Sequence, residues 1–292
     1  MHVNALLALA AAFLWGGGDF SGGMGAKNAG GAIGGALRVI LVSHAASFTV
    51  LVLIAISRGD SFPHGAPLAW GIGAGVAGGL SLACFYVALS RGAMGASAAL
   101  SGLLAAAIPA IVSVTVEGAP DLHRIFGFLI AGLAIWMIAA GPNAEAVPAK
   151  AGTIWLAATA GVGFGIYFVA LRMAGVAGVI WPMATARIGS LSVCSLLLVG
   201  LSLSAGMKEL SRGRLTRTAT RWALTTALLD TSGNLFFIAA TRAGRLDVAA
   251  VLASLYPATT ILLAAWMLSE RPTRRQGLGM LVAGVAVVMI TL

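Results

Sequence analysis

Two apolar segments of this 292-residue chain repeat one another. The later segment covers residues 249–272 and contains Pro257, and the earlier segment covers residues 96–120. A shift of 153 positions superimposes matching residues of the two segments: Ala96 on Ala249, Ser101 on Ser254 and Glu117 on Glu270. A chain that carries one hydrophobic segment twice is predicted to consist of two copies of one unit.

The composition places both copies in a lipid bilayer. Hydrophobic residues make up 59% of the chain and charged residues 9%, and the mean hydropathy is +0.98. Soluble domains carry about 25% charged residues, and apolar runs of about 20 residues are long enough to cross a bilayer as helices. We therefore predict an all-α membrane protein with ten transmembrane helices and no soluble domain. The predicted spans are 3–24, 33–56, 68–90, 95–116, 124–141, 152–172, 178–204, 221–241, 247–269 and 275–292.

The repeat extends to other spans, because three further short matches occur in the same order in both halves. The matching pairs are 36–40 with 185–189, 85–91 with 236–242, and 128–139 with 280–291. Each half then holds five spans, and because five is odd the second copy must be inverted. The predicted units are 1–141 and 152–292, joined by a linker over 142–151. Inverted repeats of this kind characterise secondary transporters, which bind substrate at the repeat interface near mid-membrane.

Several residues recur at matching places of the two halves. They are Arg38 and Arg187, Ser101 and Ser254, and Glu117 and Glu270 before a glycine-containing last span; Trp15-Gly16 in the first span and Pro257 are further notable residues without such a match. With these residues and its ten spans, the chain resembles the EamA-type members of the drug/metabolite transporter superfamily. The resemblance implies a secondary exporter of amino acids, nucleobase-like metabolites or drugs that works by alternating access in a bacterial inner membrane. Among these, amino acids (aromatic or over a broad range) are the foremost expectation. One departure is that Leu104 occupies the place that matches Pro257.

Ionisable residues inside the spans are few, and each is by default a functional hypothesis because burying a charge in a membrane costs at least about 2.5 kcal/mol. Asp19 follows a Trp-Gly-Gly-Gly segment in span 1. Asp230 lies in the middle of span 8, with Asn234 one turn later and Thr226 one turn earlier, so the three polar side chains share one helix face. The pattern predicts a substrate or proton site. The alternative is that Asp230 is a structural partner of an arginine.

The paired arginines and glutamates allow more than one role. Arg38 and Arg187 are interpreted first as structural residues that reach the membrane interface or pair with helix C-terminal carbonyls. The alternative is that they bind a substrate carboxylate. Glu117 and Glu270 stand at helix ends near prolines, so we predict that they form turns and caps and are not coupling acids.

Aromatic side chains are candidates for the wall of a central cavity formed by spans 1, 3, 4, 6, 8 and 9. Matching Phe20 with Phe168 places Tyr167 opposite Asp19, so spans 1 and 6 are expected to present polar groups to one space. The candidate substrate-binding residues are Trp15, Asp19, Tyr86, Tyr167, Asp230, Asn234, Ser254, Tyr256 and Pro257, with Trp181 as a further aromatic candidate. For each aromatic residue, packing or contact with lipid is the alternative.

We attribute the excess of basic over acidic residues to the parts of the chain at the membrane surfaces. The net charge is +9, but most Lys and Arg residues fall in short connections, where they orient the spans and contact anionic lipid. We therefore expect a small-molecule substrate and the bilayer as partners, and no nucleic acid. A monomer is sufficient because one chain holds both repeats. Connections after odd-numbered spans carry more Lys and Arg, which favours termini outside the cell, whereas the resemblance implies termini in the cytoplasm.

The rival classes are a membrane-embedded enzyme and a channel. An enzyme would show a motif such as HExxH or GxSxG, and the sequence contains neither. Its four histidines are scattered, and only His44 lies inside a predicted span. A channel would show rings of charge or a filter loop. We therefore predict a transporter without catalytic residues, metal or cofactor.

Overall fold

The computed structural model describes residues 3–30, 33–90, 94–139, 151–204, 215–269 and 272–292. Regular structure in these ranges is helical, including one short 3-10 turn at Gly175–Ala177. In chain order the helices are α1 (Val3–Asn28), α2 (Ile33–Arg58), α3 (Ala66–Ser90), α4 (Met94–Glu117), α5 (Leu122–Ala139), α6 (Ala151–Ala174), α7 (Ile180–Ser204), α8 (Arg217–Ala243), α9 (Leu246–Ala253), α10 (Pro257–Met267) and α11 (Arg274–Thr291).

The ten predicted spans are confirmed as helical segments. Over the described ranges, nine segments are long and apolar enough to cross a membrane when α9 and α10 are counted as one, and α5 contains a shorter apolar segment. Their ends agree with the predicted ends to within about one helical turn. The chain is thus an all-helical integral membrane protein with ten spans.

The ninth span departs from the prediction, because it is broken where one continuous helix was expected. Helix α9 ends at Ala253 and α10 begins at Pro257. A proline has no N–H to donate to the carbonyl four residues earlier, and its ring collides with that carbonyl. The carbonyl of Ala253 accepts instead from the N–H of Tyr256 at 3.2 Å, and Pro257 takes the first position of a new helix, where proline is tolerated.

The equivalent span of the first half is not broken at the matching place. Helix α4 carries Leu104 there and continues through Pro109 as one helix from Met94 to Glu117. The exchange of Pro257 for Leu104 thus coincides with a helix that is uninterrupted at that place.

Contacts between the two halves occur in matching pairs. Helix α1 packs along α8, and its counterpart α6 packs along α3. Likewise α6 contacts α4 while α1 contacts α9 and α10, and the pairs α2–α7 and α5–α11 join equivalent spans. This pattern agrees with two equivalent halves. The division at 1–141, 142–151 and 152–292 stays a prediction, since residues 140–150 lie outside the described part.

Glycines bring α3 and α7 into direct backbone contact, as the glycine pattern of small-residue helix packing requires. A Cβ atom on Gly75 would lie 1.8 Å from the carbonyl oxygen of Ala186, and one on Gly189 would lie 2.1 Å from that of Ile72. Neither position can hold a larger residue without separating the helices. This crossing fixes α7, and with it Arg187, beside the centre of the bundle.

Candidate functional site

A cavity lies at the centre of the bundle among described residues of both halves. Its volume is about 510 Å³, within the roughly 300–1,000 Å³ that is usual for small-molecule sites. Each span predicted to line it contributes, and α2, α5, α7 and α11 contribute as well. The predicted site residues found in its lining are Trp15, Asp19, Tyr167, Asp230, Asn234, Tyr256, Pro257 and Arg187.

Arg187 and Asp230 form an ion pair at this cavity. The Nη2 group of Arg187 donates to the Asp230 carboxylate and to Thr231 Oγ1 (3.1 Å), while Nε donates to Ser47 Oγ (3.0 Å). Arg187 is only 3% exposed, and its guanidinium contacts side chains of α2 and α8. Pairing and hydrogen bonding lower the cost of placing both charges here, and the pairing of Asp230 with an arginine is confirmed.

A chain of hydrogen bonds joins α6 to the same part of α8. The hydroxyl of Tyr167 donates to Asn234 Oδ1 at 2.6 Å, and Asn234 Nδ2 donates to the backbone oxygen of Asp230 at 2.8 Å. Asp230 and Asn234 thus share one face of α8, as predicted. The hydroxyl of Thr226, one turn earlier, donates to the backbone oxygen of Trp222 in its own helix.

His44 contributes a second polar group from α2. Its Nδ1 atom lies 2.8 Å from Ser190 Oγ, and that hydroxyl donates to the backbone oxygen of Arg187 at 3.1 Å. The ring of His44 lines the cavity.

Asp19 differs from Asp230 in having no neutralising partner. The preceding glycines bring α1 against its neighbours: a Cβ on Gly16 would lie 2.6 Å from the Tyr256 carbonyl oxygen, and one on Gly18 3.2 Å from Asp230 N. Asp19 itself is exposed to the cavity. Among the described residues, its carboxylate has no hydrogen-bond or ion-pair partner.

An aromatic cluster supplies an apolar part of the wall. The ring of Trp15 stacks on Phe168 with centroids 5.2 Å apart and planes 6° apart, and it lies 5.4 Å from the Phe237 ring. Tyr256 meets Trp15 edge-on at 6.5 Å. These contacts make Trp15 a rigid, 7% exposed surface on which an apolar ligand group can rest.

Two candidate residues, Ser254 and Arg38, are not in the cavity lining. Ser254 is fully buried, and its Oγ atom has no hydrogen-bond partner among the described residues; it lies in the break between α9 and α10. Arg38 lies nine residues, or two and a half turns, from Ser47 and therefore on the opposite side of α2. The side chain of Tyr86 lies outside the described part.

Trp181 is also away from the cavity lining. Its Nε1 atom donates to the backbone oxygen of Asp60 at 2.9 Å, and its ring meets that of Phe62 edge-on. It ties the start of α7 to the connection after α2.

The polar side chains that sequence reasoning missed belong to α2, α7 and α8. His44 and Ser47 are three residues apart, as are Arg187 and Ser190, so each pair lies on one helix face. Polar pairs at this spacing inside apolar spans were a usable signal. Thr231 follows Asp230 directly, and its role becomes visible only once α7 is placed.

A group of charged residues, here called the N-terminal-face cluster, joins the helix ends near the chain's N-terminus. Glu117 Oε2 accepts from the backbone N–H of Leu246 (2.9 Å) and caps α9, while Oε1 pairs with Arg172 (3.4 Å). Arg245 donates to the backbone oxygens of Glu117 and Gly118 and pairs with Asp247. The predicted capping role of Glu117 is confirmed; Glu270 lies outside the described residues.

Comparisons with known proteins add a family and a fold. The model of the EamA-like transporter family matches residues 151–292. No curated protein matches the chain. Among solved structures 23 chains match, and one, described only as the crystal structure of a protein, aligns over 99% of this chain and 96% of its own with a TM-score of 0.77 and 14% identity. At that identity the likeness shows a shared fold alone.

Proposed function

We propose that this chain, which belongs to the EamA-like transporter family through the match of its second half, is a secondary exporter of amino acids that works by alternating access. The family indicates a membrane transporter of small molecules. We further propose that the protein exports its substrate across a bacterial inner membrane. Since one chain supplies both halves of the cavity, a monomer is the proposed working unit.

The central cavity is the observation that carries this proposal. Helices from both halves line it, it is large enough for a small metabolite, and it combines an aromatic wall with charged groups. An amino acid has the same combination of an apolar side chain and charged ends. The cavity lies between the two halves, and secondary transporters bind substrate at such an interface.

The distribution of polar contacts supports alternating access. The N-terminal-face cluster ties together the ends of α4, α6 and α8 and the start of α9. The cavity lining instead extends toward the opposite membrane face, to Phe85 near the end of α3, Ile138 near the end of α5 and Gln276 near the start of α11. Polar contacts that close one face can break when the other face closes.

Uptake into proteoliposomes tests the proposal. Purified protein should transport at least one member of a radiolabelled amino-acid panel. Absence of transport of every amino acid would contradict the amino-acid assignment. A pH gradient that accelerates uptake by the wild type but not by Asp19→Asn would assign proton coupling to Asp19, whereas an unchanged rate would indicate facilitated diffusion.

A pair of variants separates the cavity from the rest of the bundle. Asn234→Leu keeps the side-chain volume but removes the acceptor of the Tyr167 hydroxyl, so uptake should fall at least about tenfold if binding loses one to two hydrogen bonds. Asn28→Leu makes the same substitution at an exposed position at the end of α1 and should leave uptake unchanged. Equal uptake by both variants would show that transport does not depend on this cavity.

A further inference from the structure

Two aspartates line the cavity, and among the described residues only one of them has an ion-pair partner. Among described residues that line it, the ionisable groups other than tyrosine are Asp19, His44, Arg187 and Asp230. The positive charge of Arg187 is balanced by Asp230. The carboxyl group of Asp19 is exposed to the same largely apolar cavity and has no ion-pair partner among the described residues.

The Arg187–Asp230 pair is built to persist when a ligand enters. Arg187 is bound by Ser47 from α2 and by Thr231 and Asp230 from α8, and the hydroxyls of Ser47 and Thr231 are themselves 2.6 Å apart. A substrate carboxylate would have to displace Asp230 from this arrangement and leave that carboxylate unpaired. Removing one partner of a buried pair is costly, so Arg187 is a poor site for an anion.

We infer that the cavity recognises the protonated amine of its substrate through Asp19 and does not require a substrate carboxylate. This inference rests on the proposed transport function and deepens it, since it extends the substrate class from amino acids to primary amines. An ammonium group offers three hydrogen-bond donors and no acceptor. It therefore complements the Asp19 carboxylate, and its apolar substituent fits against the ring of Trp15.

The same arrangement excludes anions. A ligand with a carboxylate and no amine meets the unpaired carboxyl group of Asp19 without gaining an arginine. A zwitterionic amino acid keeps the favourable amine contact. The expected order of affinity is therefore amine and amino acid together, with the N-acylated acid far below.

Calorimetric titration of the purified full-length protein with three related probes tests this order. The probes are 2-phenylethylamine, L-phenylalanine and N-acetyl-L-phenylalanine, which differ in the amine and the carboxylate while keeping the aromatic ring. A charge-assisted hydrogen bond corresponds to at least about a tenfold change in Kd. We expect the first two probes to bind within about threefold of each other and the third at least about tenfold more weakly.

Two isosteric variants assign the effect to residues. Asp19→Asn should weaken the binding of 2-phenylethylamine at least about tenfold. The matched control Asp121→Asn, at an exposed position outside the cavity, should leave that binding unchanged. Asp230→Asn keeps an acceptor for Arg187 but removes the charge that balances it, so this variant should bind N-acetyl-L-phenylalanine more tightly than the wild type does. Three results would overturn the inference. One is that the wild type binds the N-acetylated acid as tightly as the amine, and another is that it does not bind the amine at all. The third is that Asp19→Asn binds the amine as tightly as the wild type does.

The binding series and the uptake assay fail independently. If the protein transports amino acids but Asp19→Asn binds the amine normally, the transport function stands and the assignment of Asp19 is wrong. If no amino acid or amine is transported, the proposed function is wrong, and the titrations still decide the ligand class of the cavity.

Discussion

Replacing Gly75 with alanine perturbs the point where α3 and α7 touch. The added Cβ would lie 1.8 Å from the carbonyl oxygen of Ala186, whereas side-chain Cβ atoms keep at least 3.0 Å from such neighbours. The two helices must therefore separate locally by about 1.2 Å, the difference between these distances. The obstructing atom belongs to the backbone, so no side-chain rotation relieves the contact.

The matched control is Gly73→Ala on the same helix, where an added Cβ meets no atom within 4 Å. Both substitutions replace a helical glycine by alanine, so the gain in helix propensity of about 1 kcal/mol is common to both. Their difference isolates overpacking, which typically costs about 1–3 kcal/mol. At 2–4 °C per kcal/mol, Gly75→Ala should melt about 2–12 °C below Gly73→Ala.

Thermal unfolding in one detergent, followed by tryptophan fluorescence, measures this difference, and amino-acid uptake measures its functional consequence. Because Gly75 and Arg187 both line the cavity, separation of α3 from α7 should also lower uptake. Equal melting temperatures and equal uptake for the two variants would refute the argument that direct backbone contact positions α7.

Two further predictions concern named polar contacts, each measured by thermal unfolding. Arg187→Met leaves Asp230 without its partner and should destabilise the protein by about 3–5 kcal/mol. The double variant Arg187→Met/Asp230→Leu should recover much of this loss. Equal melting temperatures of the single and double variants would contradict the pairing argument. Glu117→Ala removes the cap of α9 and should cost about 0.5–2 kcal/mol, while Glu117→Gln keeps an acceptor for Leu246 N–H and should cost less; identical losses would show that capping is not what Glu117 contributes.

The helical fold was predictable because its main determinant is local. Apolar runs of membrane-spanning length define the spans, and helical spacing alone placed Asp230 and Asn234 on one face. The break between Ala253 and Pro257 was not predicted, because a proline inside an apolar span is compatible with a kinked helix as well as with two helices.

The partners in the site were less predictable because they come from distant parts of the chain. Arg187 is bound by Ser47 and Asp230, residues on α2 and α8, and its depth depends on the glycine contact between α3 and α7. The burial of Ser254 depends on how the chain turns at the helix break. Periodicity within one helix contains no information about either arrangement.

Substrate counterflow tests the central claim, that this is a carrier with one central site, most directly. Proteoliposomes are loaded with unlabelled L-phenylalanine and diluted into a trace of the radiolabelled form. If the protein is a carrier, the vesicles should transiently accumulate label above its equilibrium level. Each unlabelled molecule that leaves the vesicles brings the binding site to the outer side, where it can bind labelled substrate. Label that only rises to equilibrium would indicate a channel, and no entry of label beyond that in protein-free vesicles would contradict phenylalanine transport.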